Sequence, residues 1–540
     1  MRIGLVTEGG YPYATGESGL WCDRLVRGLA PHEFDVYALS PTTREDGGGR
    51  AAPPSHVRGV RTAPLRGPED DGRAYGRRDR HRFADHVRTL AHGICAASDA
   101  TGRESFAEGL YGLAELARER GGPHAALRSE PALRALESAC RAPGARRGVA
   151  ATGVPDYLVF ADRLEQALRP LSLDWYGDDT LGAADLCHAT SGGCTALPGL
   201  LAKRFFGTPL LVTEYGVGLR AHYLSAAEAT LSAPVRALLA AFHGRLAAEV
   251  YRQAELLTPG NTHTRRWQER CGAERSRIRT VYPGMESARF AETGEDEESG
   301  DPATLVWVGR VDPAKDLIAL LHAFAEVRKA QPDVRLRIIT APVREPGAEA
   351  YLAHCRSLAA QLFPDEAAGA HDIGENPVSF EALGGPEAPT LAEAYAAGAV
   401  VVLSSVVEGF PISLVESMFC ARATVSTDVG AVVEVIGGTG LVVPPRNPRA
   451  LADACLALLR DPDRRHRLGA AARARALELF TAEQNIAAFR GIYLELLSRS
   501  PVRRRAADGV PFGHPAESHV PGSWAGRPVS AVGGTGGPDA

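Results

Sequence analysis

Lysine is nearly absent from this chain of 540 residues, where it occupies only positions 203, 315 and 329. Arginine supplies the rest of the 60 basic residues, and 65 acidic residues leave a formal net charge of −5. Such a balance gives no electrostatic case for binding nucleic acid. Because alanine and glycine are also abundant, the arginine excess indicates a compositional bias. A lysine at a distinctive position therefore carries more information than an arginine.

Long apolar runs are missing too, since no stretch approaches the roughly 20 residues that a membrane-spanning helix needs. The chain opens with Met1-Arg2-Ile3 and passes directly into an apolar segment, without the pattern of a signal peptide. These two absences predict a cytoplasmic protein without a transmembrane segment.

Cysteine pairing motifs are likewise missing, because the nine cysteines are scattered and contain no CxxC pair. This pattern indicates reduced, mostly buried thiols and argues against a disulfide framework. Cys187, His188 and Cys194 form the one cluster that hints at a metal. A structural zinc site needs four ligands, and no second pair follows at a suitable spacing, so we expect no metal here.

The length predicts at least two domains, because a single hydrophobic core stops growing at roughly 250–300 residues. Apolar strands, a Gly-rich loop and helical periodicity alternate over 1–40 and resume at 184, which is typical of a doubly wound α/β domain. A second α/β series has strands predicted at 304–308, 334–340, 399–403, 423–426 and 440–443. We therefore predict an N-terminal domain at 1–298, a C-terminal domain at 303–480 and a closing helix at 481–499.

Three stretches break the alternation. Residues 41–180 combine Pro/Gly-rich patches with helical stretches, and we predict a helical insertion in the N-terminal domain. The acidic run 292–301 is interpreted as a linker, and the Gly- and Pro-rich residues 500–540 are predicted to be a disordered tail. The N-terminal series is predicted to end with strands at 256–258 and 278–281.

The first candidate site is the turn VGRVDPAKD at 308–316. Arg310 follows the end of a predicted strand, and Lys315 lies five residues on, where the next helix begins. An arginine fork and a lysine point charge suit a pyrophosphate leaving group, whose negative charge grows as the bond breaks. The alternative is two solvent-facing cations in an arginine-rich chain. The use of one of three lysines at this position favours a binding role.

The second candidate site is the segment SVVEGFPISLVE at 405–416. Glu408 and Gly409 lie in a short loop after a predicted strand, and Pro411 suits the first turn of a helix. Free backbone N–H groups at such a helix start bind anions, and Gly409 lets a ligand approach the backbone closely. Glu416 reaches another part of the same ligand, where a carboxylate suits sugar hydroxyls. Each glutamate alone is compatible with a surface charge, whereas the combined pattern favours ligand binding.

The third candidate site is the Gly-rich loop EGGYPYATGESG at 8–19, between the first strand and the first helix. It contains neither GxGxxG nor GxxxxGK[ST], which excludes the dinucleotide fingerprint and the P-loop. Such a loop would admit a phosphate or a sugar from the opposite wall of a cleft between two domains.

Together these motifs resemble GT-B glycosyltransferases of family 4, most closely a PelF-like branch of bacterial polysaccharide-synthesising enzymes. The resemblance covers about 1–40, 184–290 and 303–498. It is carried by EGGYPYATGESGLW, HATSGGCTALPGLLAKRFFGTPLLVTEYG, VGRVDPAKD, EGFPISLVESMFCARATVSTDVGAVVEVI and GLVVPPRNPRAL. It implies two Rossmann-like domains that face a cleft, with the helical insertion in the first.

The resemblance also implies an activity. A sugar would pass from a nucleoside-diphosphate-sugar to a saccharide or polysaccharide precursor, with retention at the anomeric carbon and without a metal or other cofactor. The local pair Asp461 and Asp463 lies at a predicted helix end, away from the motifs. Association with a polysaccharide-export or synthase complex is a further expectation.

Residue roles follow from the resemblance position by position. Glu408 would contact the donor-sugar hydroxyls, Tyr215 would lie near the reacting sugar, and both are candidate catalytic residues. Glu416 would hold the nucleotide ribose. The donor diphosphate would be bound by Gly16, Arg310, Lys315, Gly409 and Phe410.

Two positions depart from the branch pattern. Tyr215 stands where the branch usually has a histidine, and Glu17 stands where a second glycine usually follows Gly16. A carboxylate next to a diphosphate is unfavourable unless it points away. One alternative is therefore a catalytically silent GT-B protein that binds nucleotide-sugar or glycan as a partner subunit. Another is a different GT-B enzyme such as an epimerase or a phosphorylase, although no lysine stands in a convincing pyridoxal context.

Overall fold

Two six-stranded parallel sheets form the framework of the protein in a computed structural model. The structure describes residues 1–9, 11–13, 16–40, 53–65, 74–225, 230–295, 300–342, 346–364 and 376–499. The predicted tail at 500–540, part of the acidic run (296–299) and three positions of the N-terminal loop (10, 14 and 15) lie outside the described residues.

The first sheet belongs to the N-terminal half. Its strands are β1 (Arg2–Glu8), β2 (Glu33–Ser40), β3 (Val57–Pro64), β4 (Leu186–Ala189), β5 (Leu210–Glu214) and β6 (Leu256–Pro259). Neighbouring strands are parallel, in the order β3-β2-β1-β4-β5-β6. The apolar run of β1 is buried at 3–7, as expected for a central strand that helices cover on both faces.

Helices connect and cover these strands. They are α1 (Glu17–Gly28), α2 (Arg77–Cys95), α3 (Asp99–Arg120), α4 (Pro123–Leu127), α5 (Glu130–Arg141), α6 (Val154–Leu168), α7 (Leu197–Phe206), α8 (Gly218–Leu224), α9 (Ala233–Gln253) and α10 (Thr262–Arg270). Five of them, α2 to α6, lie between β3 and β4 and form the predicted helical insertion.

The strand β3 lies inside the stretch 41–180 that the sequence interpretation assigned to the insertion. It is the edge strand of the first sheet and pairs with β2 along its whole length. Its sequence, VRGVRTAP, is mostly exposed or half-buried, because an edge strand buries little surface. The weak apolar pattern of such a strand explains why periodicity did not reveal it, and the helical part begins only after it.

The second sheet has the strands β7 (Asp301–Gly309), β8 (Arg335–Thr340), β9 (Val378–Ala382), β10 (Gly398–Leu403), β11 (Ala423–Thr427) and β12 (Leu441–Val443). Their order is β12-β11-β10-β7-β8-β9, again parallel. Five of these strands were predicted. The edge strand β9, with a single buried residue in its pattern, was missed.

The remaining helices follow in chain order. They are α11 (Ala291–Glu295), α12 (Leu317–Ala330), α13 (Pro346–Leu362), α14 (Leu391–Ala396), α15 (Ile412–Phe419), α16 (Val432–Ile436), α17 (Pro448–Leu459), α18 (Pro462–Leu479) and α19 (Ala482–Arg499). Throughout the described ranges, no helix has both the length and the apolar character required to cross a membrane.

The two sheets have the same strand order, since each places its first and fourth strands side by side. These pairs are β1 with β4 and β7 with β10. In open α/β sheets, the connections leave such a pair in opposite directions, and the loops after its carboxyl ends bound a ligand crevice. The predicted fold class, α/β with two doubly wound parallel sheets, is confirmed, and each half has one such crevice.

The closing helix α19 returns to the first sheet. Its side chains Phe489, Ile492 and Tyr493 are buried in the same cluster as Ile3 and Trp21 of the N-terminal half. The last described helix therefore completes the hydrophobic core that β1 and α1 begin.

Contacts at both ends fix α19 on this half. The Trp21 indole N–H donates to Asn485 Oδ1 at 3.1 Å, and an Arg279 guanidinium nitrogen lies 2.7 Å from Glu495 Oε2. The prediction of a strand at 278–281 is wrong. Ile278 forms a single parallel bridge to Leu257 instead, since a 3-10 turn occupies the residues immediately before it.

Candidate functional site

The crevice between β7 and β10 brings the first two candidate sites together. The loop after β7 contains the turn 310–316, and the loop after β10 contains residues 404–411. The Val406 N–H donates to the Ala314 carbonyl at 2.8 Å, and Ser404 Oγ donates to the Lys315 carbonyl at 2.7 Å. Two segments about 90 residues apart in the chain thus form one surface.

An ion pair lies at the centre of this surface. Lys315 Nζ is 2.5 Å from Glu408 Oε1, and Ser405 Oγ donates to the same oxygen at 2.7 Å. Glu408 is 8% exposed, whereas the Lys315 side chain is 22% exposed. A buried carboxylate needs such partners, because an unpaired one would be costly to desolvate. The lysine is therefore held at the crevice with its ammonium partly open to solvent.

Glycines shape the loop around Glu408. Gly430 has a φ of +58°, and a Cβ there would approach the Glu408 carbonyl oxygen to 2.5 Å. The Ala431 N–H donates to the Gly409 carbonyl at 3.1 Å. At Gly409 itself, by contrast, a Cβ would meet no atom within 4 Å. The space in front of Gly409 is open, which is what backbone binding of an anion at the start of α15 requires.

The two flanking candidates differ in burial. Arg310 is exposed beyond the end of β7 and makes no ion pair with any described residue. Phe410 is half-buried and packs edge-to-face on Phe480, with ring centroids 5.7 Å apart. Arg310 is therefore available to an anionic ligand, whereas the Phe410 ring supports the loop from behind.

Glu416 lies on α15 and accepts a hydrogen bond from the Tyr395 hydroxyl at 2.7 Å. Burial raises the pKa of Glu416 to about 7, and the negative charge of Glu17 adds to this effect. The hydrogen bond from Tyr395 and the positive charge of Arg289 act in the opposite direction. The negative charge of Glu17, in the first half, thus helps to raise the pKa of Glu416 in the second half.

The described part of the N-terminal loop ends at α1. Gly16 caps this helix in an extended conformation, with φ −72° and ψ 168°, and a Cβ there would meet no atom within 4 Å. Glu17 follows as the first, exposed residue of the helix. Gly16 therefore faces open space, next to the residue whose charge raises the Glu416 pKa.

Tyr215 follows β5 in the first half. Its ring packs edge-to-face on Trp21 at a centroid distance of 5.3 Å, and a Cβ at Gly260 would overlap it. Its hydroxyl is buried near Asn485 without a hydrogen bond of normal geometry among the described residues. Burial raises the pKa of Tyr215 above its usual value. The phenol therefore stays neutral, and its ring packs against Trp21 and Gly260.

Sequence reasoning missed the contacts that join the two halves at this crevice. A guanidinium nitrogen of Arg220, on α8, donates to the Glu408 carbonyl at 2.8 Å. Glu434, on α16, accepts from the Thr262 N–H at 2.7 Å and from the Tyr282 hydroxyl at 2.9 Å. No local pattern distinguishes Arg220 in an arginine-rich chain, so only the three-dimensional arrangement identifies it.

The residues considered as metal ligands have other partners. His188 Nδ1 lies 2.7 Å from the Tyr493 hydroxyl and Nε2 lies 2.6 Å from Thr213 Oγ1, so both ring nitrogens are occupied. Asp461 caps α18 by accepting the Arg464 N–H at 2.8 Å. Among the residues that the structure describes, no three or more His, Cys, Asp or Glu side chains group as metal ligands would.

A second concave surface lies on the first half, beside α8. It is a cavity of about 350 Å³ between α8 and the start of α9, lined in part by His222, Tyr223 and Arg236. The Tyr223 side chain is 64% exposed. Arg220, which contacts the loop 404–411, lies on the same helix.

Comparison with protein families divides the chain into two matching segments. Residues 1–276 match the family model described as "Domain of unknown function (DUF3492)". Residues 302–461 match the model described as "Glycosyl transferases group 1". The second segment contains the turn 310–316, the loop 404–411 and Glu416.

Curated relatives with assigned activities match part of the chain. A D-inositol 3-phosphate glycosyltransferase of Kribbella flavida is 30% identical over 234 residues, which are 41% of this chain and 52% of that protein. An alpha-maltose-1-phosphate synthase of Mycolicibacterium smegmatis is 28% identical over 352 residues, or 60% and 84% of the two chains. The chain spans about half the length of the first of the curated relatives it matches.

Solved structures share the fold at low identity. A sucrose-phosphate synthase from Thermosynechococcus elongatus aligns with a TM-score of 0.55 at 16% identity, over 93% of this chain and all of the other. Anabaena HepE in complex with UDP aligns with a TM-score of 0.54 at 14% identity, over 92% and 100%. These likenesses show the fold alone and carry no residue roles.

Proposed function

The chain belongs to the family described as "Domain of unknown function (DUF3492)", and we propose that it is a glycosyltransferase with a nucleoside-diphosphate-sugar donor. The observation that carries this proposal is the junction of Lys315, Glu408 and Ser405 at the crevice between β7 and β10. The exposed Arg310 and the open space before Gly409 support a diphosphate site there. The match of 302–461 to group 1 glycosyl transferases points the same way.

We assign the donor contacts in three parts. Arg310, Lys315 and the backbone of Gly16, Gly409 and Phe410 bind the diphosphate. Glu408 binds hydroxyls of the donor sugar, and Glu416 binds the ribose. Lys315 and Glu408 are paired before the donor binds. Donor binding therefore has to break this ion pair, so that Lys315 contacts a phosphate and Glu408 contacts a sugar hydroxyl. The cations then meet the negative charge that grows on the leaving diphosphate.

Further features of the proposal rest on the resemblance to family 4 and its PelF-like branch. The reaction retains the anomeric configuration and uses no metal or other cofactor, since Arg310 and Lys315 supply the positive charge that a divalent ion would otherwise supply. The protein acts in the cytoplasm, in association with a polysaccharide-export or synthase complex.

The acceptor is a saccharide or a polysaccharide precursor. The cavity beside α8 supports this class, because the exposed ring of Tyr223 offers a surface for the apolar face of a sugar. The exposed Arg236 adds hydrogen-bond donors to its lining. A volume of about 350 Å³ is at the lower end of the range for small-molecule sites.

A second candidate function is a catalytically silent partner that binds nucleotide-sugar or glycan. It is favoured by the buried hydroxyl of Tyr215 and by the negative charge of Glu17 close to Glu416. Measurable hydrolysis of a donor by the full chain, detected as release of nucleoside diphosphate, would count against it. Donor binding without any such release would favour it.

The deciding experiment is a calorimetric screen of nucleosides, nucleoside diphosphates and nucleotide-sugars on the full chain, followed by an assay for nucleoside diphosphate release. We expect Glu416→Ala to weaken binding of the nucleoside, and Glu408→Ala to weaken mainly binding of the sugar-bearing donor. Glu349→Ala is the control, because Glu349 is exposed on α13, across the second sheet from α15. Failure of all nucleotides to bind would overturn the proposal.

A further inference from the structure

We propose that Arg220 is a positioning residue through which the first half sets the orientation of the donor-binding loop in the second half. The role of that loop in donor binding rests on the proposed function, whereas the contact itself does not. Arg220 lies on α8, and its acceptor, the Glu408 carbonyl, lies 188 residues further along the chain. Neither candidate motif includes the arginine.

The contact is to the backbone at the tip of the loop. The Arg220 guanidinium donates to the Glu408 carbonyl oxygen at 2.8 Å, in a partly buried position. In a trans peptide unit, the carbonyl of one residue and the N–H of the next lie in one plane and point in opposite directions. Holding the Glu408 carbonyl therefore directs the Gly409 N–H away from Arg220.

This peptide needs an external restraint. Gly409 has few steric limits on its backbone angles, so the peptide before it can rotate more freely than one before a residue with a side chain. The other restraints on the loop come from the second half and act on neighbouring groups. Ser404 and Val406 are bonded to the turn 314–315, and the Gly409 carbonyl accepts from Ala431. Arg220 is the restraint from the first half on the peptide between them.

The surroundings favour the guanidinium at this carbonyl. Gly430 leaves the carbonyl uncovered, since a Cβ there would lie 2.5 Å from its oxygen. Within the described ranges Arg220 has no carboxylate partner, and burial lowers its pKa while the negative charge of Glu408 opposes this. A half-buried guanidinium that binds only a neutral carbonyl loses hydration without gaining an opposite charge, which costs free energy. We infer that what offsets this cost is a loop held in one orientation.

Removing Arg220 should leave the two halves in contact. Glu434 bridges them independently through the Thr262 N–H and the Tyr282 hydroxyl. The helix α19 also remains packed on the first sheet. An effect of Arg220 variants on the loop can therefore be measured in a folded chain. Glu434→Gln is the matched control, because it weakens a contact between the halves that does not involve the loop.

The first arm of the test is hydrogen exchange of the ligand-free full chain, followed by mass spectrometry of peptides that contain 404–411. We expect Arg220→Ala to speed exchange of the Val406 amide, which is bonded to the Ala314 carbonyl, about tenfold, because the loop that carries it loses one hydrogen bond to a charged donor. Arg220→Lys should restore part of the protection, and Glu434→Gln should leave this amide unchanged. Unaltered exchange in Arg220→Ala would overturn the proposal, whether or not the protein is a transferase.

The second arm compares binding with turnover. In Arg220→Ala we expect kcat for donor hydrolysis or transfer to fall about tenfold or more, and nucleoside-diphosphate affinity to fall as well, because the Gly409 N–H that Arg220 orients is one of the proposed diphosphate contacts. A faster-exchanging loop with wild-type kcat would overturn the positioning role in the reaction. If Arg220→Ala speeds amide exchange in the loop but the protein turns over no donor, the loop contact is confirmed and only the proposed function is contradicted.

Discussion

The two halves of the molecule share one strand order, yet the loops at their crevices carry different charges. In the second half, the loops after β7 and β10 are joined by the ion pair of Lys315 and Glu408. In the first half, the loops after β1 and β4 are joined by the Thr195 hydroxyl, which donates to Glu8. One topology thus supports two crevices of different chemistry. We call the one that contains Arg310 and Lys315 the cationic crevice and the one that contains Glu8 the acidic crevice, because two cations suit a diphosphate and a carboxylate suits a hydroxyl-rich ligand.

The comparison indicates that the chemistry of each crevice depends on a few loop residues, because the strand order is identical. It also indicates that each half needs the other. The first sheet is completed by α19 from beyond the second sheet, and the loop 404–411 is held by Arg220 from the first half.

The largest expected effect is on diphosphate binding when the cationic crevice loses a charge. Arg310→Ala and Lys315→Ala should each weaken nucleoside-diphosphate affinity about 10- to 100-fold, because each removes a charge-assisted contact worth roughly 1.5–3 kcal/mol. Calorimetry with the diphosphate measures this loss, and the nucleoside alone should bind as before. Glu8→Gln at the acidic crevice is the matched change and should leave both affinities unaltered. Wild-type diphosphate affinity in both cation variants would remove the contrast between the crevices.

The next effect is loss of stability in acid, which should originate in the first half. Burial lowers the pKa of His188 to about 3, whereas histidine in an unfolded chain titrates near 6.5. The unfolded state therefore takes up the proton first, so this stabilisation is present above about pH 6.5 and is lost as the pH falls. The loss should reach about 2 kcal/mol at pH 5 in the free energy of unfolding, measured by denaturant titration.

Nuclear magnetic resonance gives an independent check on His188. Its ring signals should not titrate between pH 8 and pH 5, since Thr213 and Tyr493 hold the neutral imidazole at both nitrogens. A His188 midpoint near 6.5 in the folded protein would contradict the buried neutral state. It would also remove the expected difference in acid response between the halves.

A pH effect on stability of opposite sign, with an effect on binding smaller than that of the cation variants, should come from Glu416 in the second half. Its folded pKa of about 7 exceeds the value near 4.3 of an unfolded glutamate, so its contribution to stability is full below about pH 4.3. That contribution is lost as the pH rises to about 7. Because ribose hydroxyls are best accepted by the ionised form, nucleoside affinity should rise about five- to tenfold between pH 6 and pH 8.

Calorimetry with the nucleoside, which carries no phosphate to titrate, measures the Glu416 effect. Glu17→Gln should move the midpoint to lower pH, because it removes a negative charge that raises the Glu416 pKa. Glu349→Gln, across the second sheet, should not move it. A pH-independent nucleoside affinity would contradict the assignment of Glu416 to the ribose.

The smallest effect should come from Tyr215→Phe. The buried hydroxyl makes no hydrogen bond of normal geometry with the described residues, so its removal should leave the free energy of unfolding unchanged or raise it by about 1 kcal/mol. Most of the transfer rate should remain, with no ionisation near pH 6–7 attributable to this position. A rate loss of about a thousandfold, near 4 kcal/mol, would make the hydroxyl essential. Activity gained only in Tyr215→His would favour the silent partner instead.

The sequence predicted the second half better than the first, for a physical reason. Arg310, Lys315 and Glu408 lie in the loops that directly follow β7 and β10, and Glu416 lies on the helix after the second loop, so their meeting follows from the parallel strand order. The roles of these residues toward a donor stay predictions. Sheet edges were harder, because β3 and β9 bury few side chains and give weak apolar patterns.

Contacts between the halves could not be predicted from the sequence. Arg220 is one of many arginines, and its partner is a backbone carbonyl that no residue type encodes. The effect of Glu17 on Glu416 depends on how α1 faces α15, which no local pattern specifies. Tyr215 was identified from its neighbours in the chain, but its packing on Trp21 and Gly260 required the fold.

The return of α19 to the first sheet determines how such a chain can be recombined. The boundary between the family matches, at 276–302, looks like a natural place to exchange donor modules between related genes. An exchange there would also replace Phe489, Ile492 and Tyr493. The first sheet of the recipient would then pack against a helix from the other protein. A viable chimera therefore needs two crossovers, with the second near residue 481, so that the native cover is retained.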